Sequence, residues 1–359
     1  METEKLEIFS SPEQKEIPKP HIRLEFFRHD AKEKPTTSGP RPDDEKVRLT
    51  AEGRKHATGA GKQKRPQADM AIAYGSPRER SIETSLRHML ADEDSITDDM
   101  TLEEIKEEIR KHVKVGSKQK VTQNLNFNFD GSEEYHDAYY RHYLQDRDSL
   151  RFFVNESDNF VNRVMDAQST SYSRAAGNIA ELVKRYFKVL PNWEHITEKS
   201  KKKEEYQQKG NELQRFFGSH QGVPECFLLK IIEKNEGRQA ALDFIENLED
   251  KNGFEYSEGF SLVIKKAGDG IVGILKLGNK EWQVDEDVLD QLIQERDDLN
   301  EKFKPEWKNN QNVCPLILKI ELKIRNVHRT TACMRLRLFT KAFAHILATL
   351  GHRIHANVS

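Results

Sequence analysis

Arg28 and His29, Arg78 and Arg80, and His220 are the residues whose types and positions could do chemistry. Ile22, Leu24 and Phe26 alternate with Arg23 and Glu25, the period of two of a β-strand. That strand stops on Arg28-His29 before a polar loop running from Asp30 to Pro42. Ligands of open α/β sheets bind at the carboxyl ends of strands, so an imidazole beside a guanidinium there reads as a nucleophile next to an anion holder. Met70 to Tyr74 predicts a second strand, followed by Gly75-Ser76-Pro77-Arg78-Glu79-Arg80 and a helical run to Met89. Leu213 to Phe217 leads into Gly218-Ser219-His220-Gln221-Gly222. Three separated strand ends thus each present a cationic or imidazole group. Any one of them, taken alone, is more readily a surface or core residue paired with local glutamates. The weight rests on the set.

In this order and with these neighbours the segments resemble the histidine phosphatase superfamily, the phosphoglycerate-mutase-like enzymes. That family carries Arg-His-Gly after its first strand, Ser-Pro-x-x-Arg-x-x-x-Thr after its second and Ser-His-x-Gly after a later one. Here these read Arg28-His29-Asp30, Ser76-Pro77-Arg78-Glu79-Arg80-Ser81-Ile82-Glu83-Thr84 and Ser219-His220-Gln221-Gly222. Leu49-Thr50-Ala51-Glu52-Gly53 matches the segment opening the family's first helix, and the resemblance spans roughly residues 21–280. It implies an α/β fold with an open, mostly parallel central sheet, helices on both faces, a helical insertion and a C-terminal extension. It further implies a metal-independent phosphomonoester hydrolase without a cofactor. His29 would attack phosphorus and become phosphohistidine, a neutral imidazole avoiding repulsion by the phosphate dianion. Arg28 and Arg80 would neutralise charge on the phosphate oxygens, and His220 would add a donor when protonated. Ser76 and Ser219 would shape their turns.

Departures from the family pattern set further expectations. Arg78 stands where an apolar residue is usual and is a candidate phosphate or substrate contact. Asp30 replaces glycine, so its carboxylate is expected to narrow the pocket or repel an anion. The proton donor is expected to be a carboxylate following the insertion, and Asp130 is the nearest match, with Glu133 and Glu134 behind it. A turn Asp before Gly is ordinarily just a turn residue. The loop after His29 lacks the Gly-x-Ser-x-x-Asn of mutases, which favours hydrolysis over phosphate shuttling.

The 359 residues are 33% charged and 36% hydrophobic with a net charge of −2, a globular balance that favours neither nucleic acid nor an anionic membrane as partner. Cys226, Cys314 and Cys333 form no metal-binding or disulfide pattern. The opening Met-Glu-Thr-Glu-Lys lacks a signal-peptide pattern and no apolar run suffices for a transmembrane segment, so a cytoplasmic location is expected. The organisation read from the chain is a polar tail over 1–20, a catalytic domain over 21–304 with an insertion or cap at 91–170, and a basic extension over 305–359. Thr50 is a candidate N-cap, and Thr101 to Glu104 a capping box opening a charged helix to about His112. Leu125, Phe127 and Phe129 alternate briefly, while 136–165, 173–190 and 223–250 read as helices. The lysine-rich stretch from Glu198 to Gly210 reads as a solvated helix end rather than a nucleic-acid patch. Gly268-Asp269-Gly270 predicts a hairpin between two strands, and Val288, Leu289, Leu292 and Ile293 an amphipathic helix. Beyond Glu321 there are seven Lys or Arg residues, four histidines and no acid. That tail suits either an anionic surface or partner, or an ordinary extension.

Two readings compete with hydrolysis at His29 besides phosphotransfer of the mutase type. One is an inactive phosphate- or protein-binding module of the same fold. The other is a metal-dependent phosphohydrolase built on His136-Asp137 with His142, which needs further His and Asp ligands. The class of phosphorylated substrate is left open by the residues of the insertion.

Overall fold

The computed structural model describes residues 18–34, 44–112, 119–129 and 131–303. The N-terminal tail, Asp130 and the basic extension lie outside the described residues. In chain order the elements are β1 (His21–Arg28), α1 (Ala51–Gln63), β2 (Ala71–Gly75), α2 (Glu79–Met89), α3 (Leu102–His112) and β3 (Gln119–Val121). There follow α4 (Glu133–Tyr140), α5 (Ser149–Phe152), α6 (Asp158–Arg163), α7 (Tyr172–Lys199), α8 (Lys203–Gln208) and β4 (Glu212–Ser219). The chain continues with α9 (Val223–Glu236), α10 (Arg238–Glu246), β5 (Gly259–Ala267), β6 (Gly270–Leu277), β7 (Lys280–Val284) and α11 (Glu286–Glu301).

The strands form one seven-stranded sheet in the order β3-β2-β4-β1-β5-β6-β7. Strands β3, β2, β4 and β1 pair in parallel, which is the core of the expected sheet. Strands β5 to β7 add an antiparallel wing, with Ala267 opposite Gly270 across the expected hairpin turn. The period of β1 sorts two faces. Ile22, Leu24 and Phe26 pack with residues of α7, α9 and α11, whereas Phe27 packs with Ile82 and Leu86 of α2 and Leu102 and Ile105 of α3. Helices therefore cover both sides, as parallel strands buried on both faces require.

Local chemistry explains most boundaries. Thr50 Oγ1 accepts from Gly53 N (3.0 Å), capping α1. Thr101 and Glu104 exchange the two bonds of the expected capping box (2.6 and 3.4 Å). The helix read over 223–250 is in fact two, because Gly237 at φ +94° breaks it between α9 and α10. The helix read over 136–165 is also interrupted. Arg141–Asp146 and Phe153–Ser157 are π-helical, and Arg147 takes a left-handed φ of +56°. The alternation at Leu125, Phe127 and Phe129 makes no strand; a short 3-10 turn over Gln123–Leu125 precedes extended chain.

Helix α2 lies hard against the ends of β2 and β4. Ser81 Oγ donates to Gly218 O (2.6 Å), Ser85 Oγ donates to Tyr74 O (2.6 Å), and Gly218 N donates to Ser85 Oγ (2.7 Å). A Cβ on Gly218 would stand 2.3 Å from Ser81 O, and one on Gly75 would stand 2.6 Å from Ile82 Cα. These glycines set how closely α2 approaches the strand ends. Overpacking of this kind costs about 1–3 kcal/mol. Gly218→Ala should therefore lower the melting midpoint by that equivalent in calorimetry, and an unchanged midpoint would show that α2 has room to move.

Candidate active site

The parallel strands carry Arg28 and His29 at the end of β1, Ser76 to Arg80 between β2 and α2, and Ser219 to Gln221 after β4 into one pocket of about 420 Å³. Every positively charged or imidazole residue expected at the site lines it: Arg28, His29, Arg78, Arg80 and His220. His29 and His220 meet edge to face with ring centroids 5.1 Å apart.

His29 is buried, and burial followed by the nearby Arg80 charge pushes its pKa well down. The ring is neutral at neutral pH. Its Nδ1–H donates to Asp30 O (2.7 Å), and its Nε2 accepts from Arg80 Nε (3.2 Å). Those two contacts assign the tautomer and leave the Nε2 lone pair on the side of the guanidinium. His220 is also held neutral, by burial first and then by His29, Arg78 and Arg80. Its Nε2 lies 2.8 Å from Ser76 Oγ. Ser76 thus does more than shape a turn, since it touches the second imidazole directly. Ser219 Oγ donates instead to Leu125 O (2.8 Å), tying β4 to the segment after β3.

Arg80 is almost fully buried and makes four contacts. Besides His29 it donates to Asp44 O (2.8 Å) and to Asp44 Oδ2 (3.0 Å), and its carbonyl accepts from Thr84 Oγ1 (2.8 Å). Arg78 Nε lies 2.8 Å from the same Asp44 oxygen, and Lys32 Nζ is 3.6 Å from the other. Arg28 is fixed through one nitrogen, Nη1 donating to Phe254 O (2.7 Å), and its guanidinium lies over the Tyr256 ring at 4.3 Å. Its Nε is buried without a hydrogen-bond partner, a donor held in reserve beside the pocket.

Asp30 does not crowd the pocket, contrary to the expectation from its replacing glycine. Its carboxylate is turned away and buried, with Oδ2 accepting from Ser257 Oγ (2.6 Å) and facing His56 Nδ1 (2.6 Å), and Oδ1 accepting from Ala31 N (2.7 Å). The side chain thereby fixes the peptide whose carbonyl orients His29. Gly53 seats α1 against this loop, because a Cβ there would stand 2.4 Å from Ala31 O. A second carboxylate, Glu225, ties two site loops together by accepting from Gly222 N (2.8 Å) and Phe254 N (2.7 Å). Burial pushes Glu225 up to about 7 against the pull of those two N–H groups.

Residues that sequence reasoning missed are Asp44, Lys32 and a wall of aromatic side chains that includes Tyr139, Tyr143 and Tyr256. Asp44 comes from a loop with no motif. The signal in the sequence is the density of Phe and Tyr between 127 and 143, whose period reads as a brief alternation followed by a helix. Asp130, the expected proton donor, lies outside the described residues. Glu133 and Glu134 begin α4 and do not line the pocket. The metal-phosphohydrolase reading gathers no ligand set around His136 and Asp137 among the described residues. His142 instead groups with Asp146 and Asp148.

No family model matches this chain, and no curated protein matches it. Solved structures do. Mycobacterial hydrolase 2 is 15% identical over 76% of this chain and 96% of its own, with a TM-score of 0.38. A mycobacterial glucosyl-3-phosphoglycerate phosphatase is 14% identical over 72% and 99%, at 0.42. A phosphoserine phosphatase from Entamoeba histolytica, in complex with phosphoserine, is 12% identical over 70% and 94%, at 0.34.

Asp44 bridges Arg78 and Arg80 through one carboxylate oxygen. Burial pushes its pKa up, but the hydrogen bond from Arg80 and the charges of Arg80, Arg78 and Lys32 outweigh this and hold it below the usual range. It is therefore ionised at neutral pH and would compete with any anion drawn to these cations. A half-exposed pair of this kind is worth about 1 kcal/mol, so Asp44→Asn should tighten inorganic phosphate binding severalfold in calorimetric titration. Weaker binding in the variant would mean that Asp44 serves to orient the arginines instead. A parallel four-strand core with an antiparallel wing and helices on both faces thus brings the Arg-His, Ser-Pro-x-x-Arg and Ser-His segments of the chain to one pocket.

Proposed function

We propose that the protein hydrolyses phosphomonoesters through a covalent phosphohistidine on His29, without a metal ion. The observation that carries this reading is the fixed tautomer of a buried, neutral His29, Nδ1 bound to Asp30 O and Nε2 beside Arg80. An incoming phosphate takes over the guanidinium contacts now made to Asp44, with Arg28 Nε, Arg78 and Arg80 around its oxygens. Nε2 attacks phosphorus in line as the ester oxygen leaves, and the positive charge arising on the imidazole is shared through Nδ1–H with the Asp30 carbonyl. His220, neutral in the free protein, gains a proton more readily once a dianion is present and then donates to a phosphate oxygen. Water attacks the phosphoenzyme in the second step and returns His29 to its starting state.

The reading is tested by quenching without acid after mixing with labelled substrate and chelator. Label should appear on protein, be acid-labile and survive alkali, as a phosphoramidate does. His29→Ala should abolish both labelling and turnover, and His220→Ala should impair labelling without moving its site. Full activity of the His29→Ala protein, or label on serine or aspartate, would overturn the mechanism.

The leaving oxygen of an alkyl ester needs a proton, and the resemblance assigns this to Asp130. Asp130→Asn should then lower turnover of alkyl phosphates by about 10²–10⁴, with a much smaller loss for esters of acidic phenols. Equal losses for both classes, or none, would remove Asp130 from the role and leave Glu133 and Glu134, at the start of α4, as the donors to test next.

A further inference from the structure

The half of the pocket away from the arginines is aromatic. Phe127 and Phe129 follow β3, and Tyr139, Tyr140 and Tyr143 come from α4 and the π-helical turn after it. Phe129 and Tyr139 stack with centroids 5.8 Å apart at 20°, Tyr139 and Tyr143 stack at 5.7 Å and 16°, and Phe129 meets Tyr140 edge to face at 5.4 Å. Phe127 and Tyr139 are buried and belong to the core, but Phe129, Tyr140 and Tyr143 are only partly buried. Tyr256 closes the other side at 40% exposed, with Arg28 against its ring. Large aromatic rings left partly bare beside a cluster of cations need a reason, because burying them elsewhere would be favourable.

We infer that the ester group of the substrate carries a planar aromatic ring, and that Phe129, Tyr140, Tyr143 and Tyr256 stack around that ring while the arginines hold the phosphate. This rests on the phosphate-site reading above. An aromatic ring needs only faces and edges, which this wall presents at interlocking angles. Tyr256 is held for the purpose. Its neighbour Ser257 sits at a left-handed φ of +59°, kept there by Ser257 N donating to Arg28 O (3.2 Å) and Ser257 Oγ donating to Asp30 (2.6 Å).

The inference is separable from catalysis with non-hydrolysable ligands titrated into the full chain. Inorganic phosphate, methylphosphonate, cyclohexylmethylphosphonate and benzylphosphonate share the phosphate-site contacts and differ in what they offer the wall. Benzylphosphonate should bind roughly tenfold tighter than methylphosphonate and clearly tighter than the cyclohexyl compound, as stacking on several rings predicts. Tyr143→Ala should collapse the benzyl-to-phosphate affinity ratio, whereas Tyr143→Phe should preserve it. If phosphate itself fails to bind, the phosphate-site reading falls. If phosphate binds but benzyl and methyl compounds bind alike, the aromatic inference falls alone. The source of the ring is then read from kcat/KM of O-phosphotyrosine against O-phosphoserine, and of adenosine 5′-monophosphate against ribose 5-phosphate. The second pair share a leaving alcohol, so a gain there reports the base alone. No gain in either pair would overturn the inference.

Discussion

Four cationic side chains crowd around a neutral imidazole, and the rest of this structure answers the repulsion that results. Arg28, Arg78, Arg80 and Lys32 share one pocket with His29 and His220. Like charges at these separations oppose folding unless the backbone holds them rigidly and some counter-charge is near. The first requirement is met by parallel strands. Three strand ends arrive side by side because β2, β4 and β1 are adjacent in the sheet, so the cations come from elements that cannot drift apart without breaking the core. The second is met by Asp44, which bridges Arg78 and Arg80.

Behind the site, buried acids replace flexibility with fixed peptide geometry. Asp30 holds the peptide that orients His29, and Glu225 joins the loop after β4 to the loop that receives Arg28. Each carboxylate has both oxygens engaged, as a buried acid must to offset its desolvation. His88, stacked on Phe27 at 4.0 Å and 3.1 Å from Ser257, extends the Asp30 cluster into the core. A shift in Ser257 would therefore reach the Asp30 carbonyl that orients His29, Tyr256 and Arg28 together.

The parts of this arrangement legible in the sequence are those with local signals. The alternation in β1, the Gly-Asp-Gly hairpin, the Thr50 cap and the stripe of α11 each follow from neighbouring residues, and the structure has all four. The motif residues were findable because each sits at a strand end with a recognisable turn. Asp44 was not, since its role depends on contacts to Arg78 and Arg80 some thirty-five residues on, made across the pocket. Glu225 looks in sequence like any acid in a helix's first turn, and only the approach of Phe254 N shows that it ties two loops. Gly237 sits within an otherwise helical apolar pattern, so period alone ran two helices into one. The expectation for Asp30 failed for a related reason. Replacing glycine adds a side chain, but its direction was set by Ser257 and His56, far away in sequence.

Burial is unevenly divided between Arg80 and Asp44. The Arg80 side chain is 3% exposed and bound at each end of its guanidinium, whereas the Asp44 side chain is 45% exposed. On the proposed reading, a ligand phosphate would find its cationic donors already in place, with their desolvation met during folding, and would have a half-exposed carboxylate to displace. Exchange of one negative charge for two improves the balance against four cations. The same exchange removes the acid that holds Arg78 when the pocket is empty, so the resting and occupied states both keep the arginines partnered. On that reading, selection for an anion would come from this built-in positive excess, and selection among anions would be left to the aromatic side of the pocket, where shape decides.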